Sequence, residues 1–209
     1  MLFFSACYTP EYKPEDTIIP PIDEQISNSI CDEIINISIS AESNTEGPFS
    51  IGDIIPESLL VESDYCYPAD SLGRSFSFAN HPNKVFMIEM SATWWGPCFD
   101  AIQDGDAIYE YWENNERADD VIILHFLDDI FNPTCMQWGN AGILGIPPIV
   151  DDGVANTVRG LFPPNPDPSA TIYPITIFIN HNMQIINIEY GSLNLKDTNL
   201  YINCMLDAM

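Results

Sequence analysis

One short stretch of the chain carries residues whose types and spacing suit thiol chemistry: Ala92-Thr93-Trp94-Trp95-Gly96-Pro97-Cys98. The apolar run over 84–91 predicts a buried strand before it, and the amphipathic run over 97–115 predicts a helix after it. We therefore expect Cys98 in the first turn of that helix. Unpaired backbone N–H groups and the helix dipole favour a thiolate at such a position.

The other cysteines offer candidate partners for this thiol. The chain has six cysteines and no Cys-x-x-Cys pair: Cys7, Cys31, Cys66, Cys98, Cys135 and Cys204. Cys135 follows the second buried strand at the start of a predicted helix, so it is the best candidate for a redox pair with Cys98. We expect a structural disulfide between Cys66 and either Cys31 or Cys204. No Cys/His spacing suits zinc, so we predict neither a metal site nor a cofactor.

The start of the chain resembles the end of a bacterial lipoprotein signal. Leu2-Phe3-Phe4 is a short apolar run, and two small residues lead from it to Cys7, the residue that such a signal lipidates. The alternative is an N-terminal tail with a free cysteine. Residues 1–49 read as an acidic, proline-rich leader, serving either as a tether to the anchor or as a tail without a role. Within it, alternating residues predict a strand over 34–40.

The charge of the chain excludes one class of partner. With 31 Asp and Glu against 6 Lys and Arg, the formal net charge is −25. Such a chain repels the phosphate backbone of nucleic acids, and it does not adhere to an anionic membrane by charge alone. Since it also lacks an apolar stretch of about 18 residues, we expect membrane contact only through the lipid on Cys7. The acidity fits a salty or an extracytoplasmic setting. Together with the resemblance to a lipoprotein signal, it leads us to expect a location in the periplasm or cell envelope.

Strand and helix patterns alternate over residues 50–209. Further strands are predicted over 121–127 and 149–150, and a hairpin over 171–180 and 183–190. Further helices are predicted over 134–144, 154–161 and 194–209. This order predicts an α/β domain with a mixed sheet and helices on both faces.

The turn at Trp94–Cys98 resembles the active-site turn of the thioredoxin superfamily, Trp-Cys-Gly-Pro-Cys. Tyr173-Pro174 stands where that family has its cis-proline, and the hairpin that follows is similar to the family's closing strands. The segment 134–162 is similar to the insertion of the redoxin branch of bacterial periplasmic proteins, the TlpA-like group. The resemblance covers residues 50–209. It implies a thioredoxin-like fold, thiol–disulfide oxidoreductase ancestry, protein thiols or disulfides as partners, and a substrate groove at Tyr173 and Pro174.

The chain departs from this family at Trp95, which stands in place of the nucleophilic first cysteine. An indole neither ionises nor forms a disulfide, so the two-thiol exchange cycle cannot run at this turn. Three hypotheses follow. Cys98 could pair with Cys135. The domain could instead be redox-inactive and bind an extended peptide or partner protein beside Pro174, with Trp94 and Trp95 as contacts. Cys98 could also act as a single reactive thiol.

Overall fold

The computed structural model describes residues 24–39, 47–56, 63–128, 132–142, 147–152, 158–163 and 173–209. Cys7 and most of the predicted helix over 154–161 lie outside these residues. The described helices are α1 (Glu24–Ile39), α2 (Gly96–Glu113), α3 (Cys135–Gly139) and α4 (Leu195–Asp207). The described strands are β1 (Tyr65–Tyr67), β2 (Val85–Ala92), β3 (Val121–Asp128), β4 (Ile149–Asp151), β5 (Ile175–Ile179) and β6 (Ile185–Tyr190).

The six strands form one mixed sheet in the order β1-β4-β3-β2-β5-β6. Strands β2, β3 and β4 run parallel, whereas β1, β5 and β6 pair antiparallel with their neighbours. β2 and β3 are nearly continuous apolar runs because they lie in the interior of the sheet and are covered on both faces. The predicted α/β architecture with a mixed sheet and flanking helices is confirmed.

Apolar side chains pack on both faces of the sheet. Alternate residues of β2 point to opposite faces, so Phe86, Ile88 and Met90 join one cluster while Val85 and Met87 join the other. The second cluster also contains apolar side chains of α1, α2 and α4. Apolar packing against the sheet therefore holds α2 in position, including its start, where the candidate site lies.

The strand predicted over 34–40 is wrong, because these residues belong mostly to α1. Ile30, Ile34 and Ile37 recur at helical spacing and face the core cluster that contains α4, and Ile34 is fully buried there. A disulfide between Cys31 and Cys204 joins α1 to α4. The division of the chain at residue 49 stays a prediction, but residues 24–39 pack on the body of the protein.

β1 is a short edge strand that the sequence pattern did not reveal. It pairs with β4, and Cys66 at its centre forms a disulfide with Cys135 at the start of α3. The expected pairing of Cys66 with Cys31 or Cys204 is therefore wrong. No helix within the described ranges is long and apolar enough to cross a membrane.

Candidate functional site

The turn between β2 and α2 holds Trp95 and Cys98 at the start of the helix. The N–H of Trp95 donates to the carbonyl of Ala92 over 3.1 Å, and the N–H of Cys98 donates to the carbonyl of Trp95 over 3.0 Å. Trp95 is the N-cap residue and gives no side-chain cap. Pro97 fits the first helical turn because its missing N–H has no partner to lose there.

Cys98 lies beneath this turn rather than on the surface. Its exposed fraction is 0% and it forms no disulfide. The pKa of its thiol is raised to about 11, chiefly by burial and also by the nearby Glu89, because the hydrogen bonds with Ala92 and Ser91 lower it only in part. The helix N-terminus therefore does not offset desolvation, and Cys98 is a protonated thiol at neutral pH.

A buried carboxyl group accompanies the thiol. Glu89, on β2, is 2% exposed, and its Oε1 accepts a hydrogen bond from the Ser91 hydroxyl over 3.2 Å. Burial raises the pKa of Glu89 to about 8, with a further rise from the charge of Asp104. The sequence analysis missed Glu89. The available signal was one acidic residue inside a predicted buried strand, where an unpaired charge is costly.

Glu89 lies in a row of polar residues that crosses the sheet. Its register partners are His125 on β3 and Thr176 on β5, and both are buried. Burial lowers the pKa of His125 to about 3, so its imidazole is neutral. His125 packs edge-on against Trp138, with ring centroids 6.1 Å apart. His125 is therefore a core residue, although its Nε2 has no hydrogen-bond partner among the described residues.

Cys135, the expected redox partner of Cys98, is bonded to Cys66 instead, with their Cα atoms 6.0 Å apart. The physical reason is that β1 lies beside α3 in the fold and places Cys66 against the first residue of this helix. A Cys98–Cys135 bond is therefore not the arrangement in the structure. Of the five cysteines that the structure describes, Cys98 alone keeps a free thiol.

Aromatic side chains cover the outside of the turn. Trp94 is 55% exposed, and its indole meets the rings of Trp95 and Tyr173 edge-on, each with centroids 6.1 Å apart. Phe99, in the first turn of α2, is 50% exposed and rests edge-on against Trp138. The peptide bond between Tyr173 and Pro174 is cis. Tyr173 is only 2% exposed and Pro174 is buried as well, so Trp94 is the exposed member of this group. We call Trp94, together with the buried Tyr173 and Pro174, the aromatic surface.

Polar groups support this surface from behind. The Tyr173 hydroxyl donates to Oδ2 of Asp128 over 3.4 Å, and the guanidinium carbon of Arg159 lies 5.9 Å from the centroid of the Tyr173 ring. Burial raises the pKa of Tyr173, so its hydroxyl stays protonated and remains a donor. The sequence analysis did not identify Arg159. Its contact with Tyr173 joins segments far apart in the chain, and no local pattern signals such a contact.

No group of three or more metal-ligating side chains occurs within the described part of the chain. The site is therefore described by its thiol, its buried carboxyl group and its aromatic surface. What the site offers chemically is one protonated thiol and a place for apolar contacts.

Comparison with known proteins supplies fold matches only. Neither the family models nor the curated protein sequences give a match. Among solved structures, a putative protein disulfide isomerase from Bacteroides thetaiotaomicron matches with a TM-score of 0.54 and 16% identity, over 78% of this chain and 95% of that one. A secreted thiol-disulfide isomerase from Corynebacterium glutamicum matches with a TM-score of 0.52 and 17% identity, over 70% and 84%.

A thiol:disulfide interchange protein of the thioredoxin family from Chlorobium tepidum also matches. Its TM-score is 0.52 and its identity 18%, over 69% of this chain and 93% of that one. These identities are low, and the matches concern the fold: a six-stranded mixed sheet with flanking helices, as the sequence predicted for residues 50–209. The chain has the thioredoxin-like fold.

Proposed function

We propose that this chain is a redoxin-type protein that works outside the cytoplasm and binds an extended segment of a partner protein at the aromatic surface, without exchanging thiols at its Trp94–Cys98 turn. The observation that carries this proposal is the state of Cys98, a buried, protonated thiol with an indole in place of its expected partner. Thiol exchange needs an accessible thiolate and a second sulfur.

The binding half of the proposal depends on exposure and rigidity. Trp94 leaves more than half of its surface open, yet it is held by edge-on contacts with Trp95 and Tyr173. A large, rigid, exposed aromatic side chain is the kind of residue that dominates binding energy at protein interfaces. Thioredoxin-like domains present such a surface beside the cis-proline, here Pro174, to extended peptides.

The location outside the cytoplasm is supported by the two disulfides. Cys31–Cys204 and Cys66–Cys135 both join distant parts of the chain, and such structural disulfides persist in oxidising compartments. The similar structure from Corynebacterium glutamicum is described as secreted. Lipidation of Cys7, which lies outside the described residues, would tether the protein to a membrane. Mass spectrometry of the mature protein tests for the lipid.

Insulin-disulfide reduction tests the redox half. We expect no turnover by the wild type or by Cys98→Ser, since neither has a thiol pair at the turn. Trp95→Cys restores a Cys-Gly-Pro-Cys sequence at the N-terminus of α2, and we expect measurable turnover from it. Activity in the wild type that disappears in Cys98→Ser would contradict the proposal and favour a single-thiol enzyme assisted by Glu89.

Peptide binding tests the other half separately from thiol chemistry. The probe is fluorescein-labelled insulin B chain whose cysteines are carbamidomethylated, so that it is extended and carries no thiol. We expect Trp94→Ala to weaken binding by about tenfold or more. Tyr111→Ala is the matched control, because Tyr111 is 42% exposed and lies toward the other end of α2. Equal binding by wild type and Trp94→Ala contradicts the proposed surface.

A further inference from the structure

Asp152 is a buried carboxylate behind the aromatic surface. It directly follows β4 and is 4% exposed, and its own N–H donates to the carbonyl of Leu127 over 3.1 Å. Its Oδ1 accepts the N–H of Val158 over 2.7 Å, and its Oδ2 accepts the N–H of Arg159 over 2.9 Å. Because each oxygen accepts from a different N–H group, both bonds are strongest while the carboxyl group is ionised.

The segment that Asp152 holds reaches the aromatic surface through Arg159. The Arg159 Nη1 donates to the carbonyl of Phe162 over 3.0 Å, and its guanidinium lies over the ring of Tyr173. On another side, the Tyr173 ring meets Trp94 edge-on. A continuous set of contacts thus runs from the carboxylate of Asp152 to the exposed indole of Trp94.

The charges around Asp152 decide how readily it takes up a proton. Burial raises the pKa of its carboxyl group to about 6, the two backbone hydrogen bonds lower it, and the charges of Asp128 and Asp151 raise it. Asp128 ends β3, Asp151 ends β4, and the hydroxyl of Tyr173 feels the charge of Asp152. Arg159 gives Asp152 its backbone N–H, while its guanidinium lies over the ring of Tyr173. Protonation turns one oxygen into a hydroxyl, which accepts more weakly than a carboxylate oxygen, so the hydrogen bond from one of the two N–H groups weakens.

We propose that Asp152 is a positioning residue for the aromatic surface. Protonation of its carboxylate in mild acid shifts the guanidinium of Arg159 relative to the ring of Tyr173, and this shift lowers the affinity of the surface for its partner. The effect on partner affinity rests on the proposed function. The coupling between Asp152 and Trp94 does not, because it concerns contacts within the chain alone.

Two-dimensional ¹H–¹⁵N NMR between pH 4.5 and 8 measures the coupling directly. In the wild type, we expect the backbone N–H signals of Val158 and Arg159 and the indole N–H signal of Trp94 to move with one common midpoint near pH 6. In Asp152→Asn, the three signals should stay near their acid positions throughout. Asp151→Asn is the control and should keep the transition at a lower midpoint, because it removes a neighbouring negative charge.

Two results would overturn the proposal. One is a Trp94 indole signal that does not move with those of Val158 and Arg159 in the wild type, a measurement that needs no variant to fold. The other is an unchanged Trp94 transition in Asp152→Asn.

Binding of the carbamidomethylated insulin B chain separates this inference from the proposed function. We expect affinity to fall at least threefold between pH 7.5 and 5 in the wild type and by less in Asp152→Asn. Histidines of the probe affect both proteins equally. A common NMR midpoint without peptide binding at either pH would leave the coupling intact and reject the proposed function. Binding whose pH dependence is the same in both proteins would reject regulation through Asp152.

Discussion

The hydroxyl of Ser91 donates a hydrogen bond to Oε1 of Glu89 over 3.2 Å, and both side chains are buried on β2. The other carboxyl oxygen of Glu89 faces Gly105 on α2, where an added Cβ would stand 2.9 Å from it. Gly105 therefore leaves room for the carboxyl group between sheet and helix. One hydrogen bond from Ser91 does not offset the burial, and this balance gives Glu89 its raised pKa.

Replacing Glu89 with Gln should change how stability depends on pH. The carboxyl pKa is about 8 in the folded protein against 4.5 ordinarily, so the folded state binds more protons between these values. The free energy of unfolding therefore falls as pH rises from about 4.5 to 8 and levels off above. We expect Glu89→Gln to be more stable than the wild type by roughly 2–5 kcal/mol at pH 8.5, and by little at pH 5.

Urea unfolding at pH 5, 7 and 8.5, followed by circular dichroism, measures this difference. Asp100→Asn, at an exposed position on α2, is the control and should follow the wild type. An equal decline with pH in the wild type and in Glu89→Gln would show that Glu89 does not titrate in this window.

Cys98 should react slowly in the folded protein. Its thiol has a pKa of about 11 and no exposed surface, so the thiolate fraction at pH 7.5 is roughly 100-fold below that of an ordinary thiol. We expect alkylation by iodoacetamide to be at least 100-fold slower in buffer than in 8 M urea, as measured by peptide mass spectrometry. In Trp95→Cys, the new thiol at the N-cap should label before Cys98. Rapid native labelling of Cys98 would revive the single-thiol hypothesis.

Gly139 should not tolerate a side chain. A Cβ at this position would stand 2.6 Å from two ring carbons of Tyr67. The ring cannot withdraw freely, because the adjacent Cys66 is bonded to Cys135 on the same helix as Gly139. We expect Gly139→Ala to lower the free energy of unfolding by about 2 kcal/mol.

Gly96→Ala is the matched control for this change, because a Cβ there meets nothing within 4 Å. When Tyr67 is replaced by Ala, the Gly139→Ala substitution should no longer lower the free energy of unfolding. Urea unfolding measures five proteins: the wild type, Gly139→Ala, Gly96→Ala, Tyr67→Ala and Tyr67→Ala/Gly139→Ala. A Gly139→Ala protein as stable as Gly96→Ala would contradict the close packing of β1 on α3.

The disulfide between Cys31 and Cys204 should stabilise the fold and hold α1 in place. It joins residues 173 positions apart, and a bond that closes so long a loop removes much entropy from the unfolded chain. We expect Cys31→Ala/Cys204→Ala to lose about 2–5 kcal/mol of stability. Hydrogen exchange should increase in α1, while α2 keeps its protection.

A matched pair of measurements separates the two disulfides. Under a reducing agent, the Cys31→Ala/Cys204→Ala protein should lose only the contribution of Cys66–Cys135, and exchange should then rise in β1 and α3. Unchanged protection of α1 in the double variant would mean that its apolar packing alone holds it.

Local patterns predicted the elements nearest to the site. The strand predicted over 84–91 is β2, shifted by one residue at each end, and the helix predicted over 97–115 begins one residue earlier and ends two earlier, at Glu113. Local patterns sufficed because both elements are long, β2 being a nearly continuous apolar run and α2 having apolar residues at helical spacing. In the leader, the same method chose a strand where α1 lies, because a few isoleucines fit both a two-residue and a helical repeat.

The sequence by itself determined the strand and helix that flank the candidate site and the position of Cys98 at the start of that helix. These follow from residue identity and local periodicity. Only the tertiary structure decided that Cys98 is buried beside Glu89, that Cys135 bonds to Cys66, and that Asp152 reaches Trp94 through Arg159 and Tyr173. Burial and pairing depend on which distant segments meet, and a pKa or a disulfide is set by those neighbours rather than by spacing along the chain.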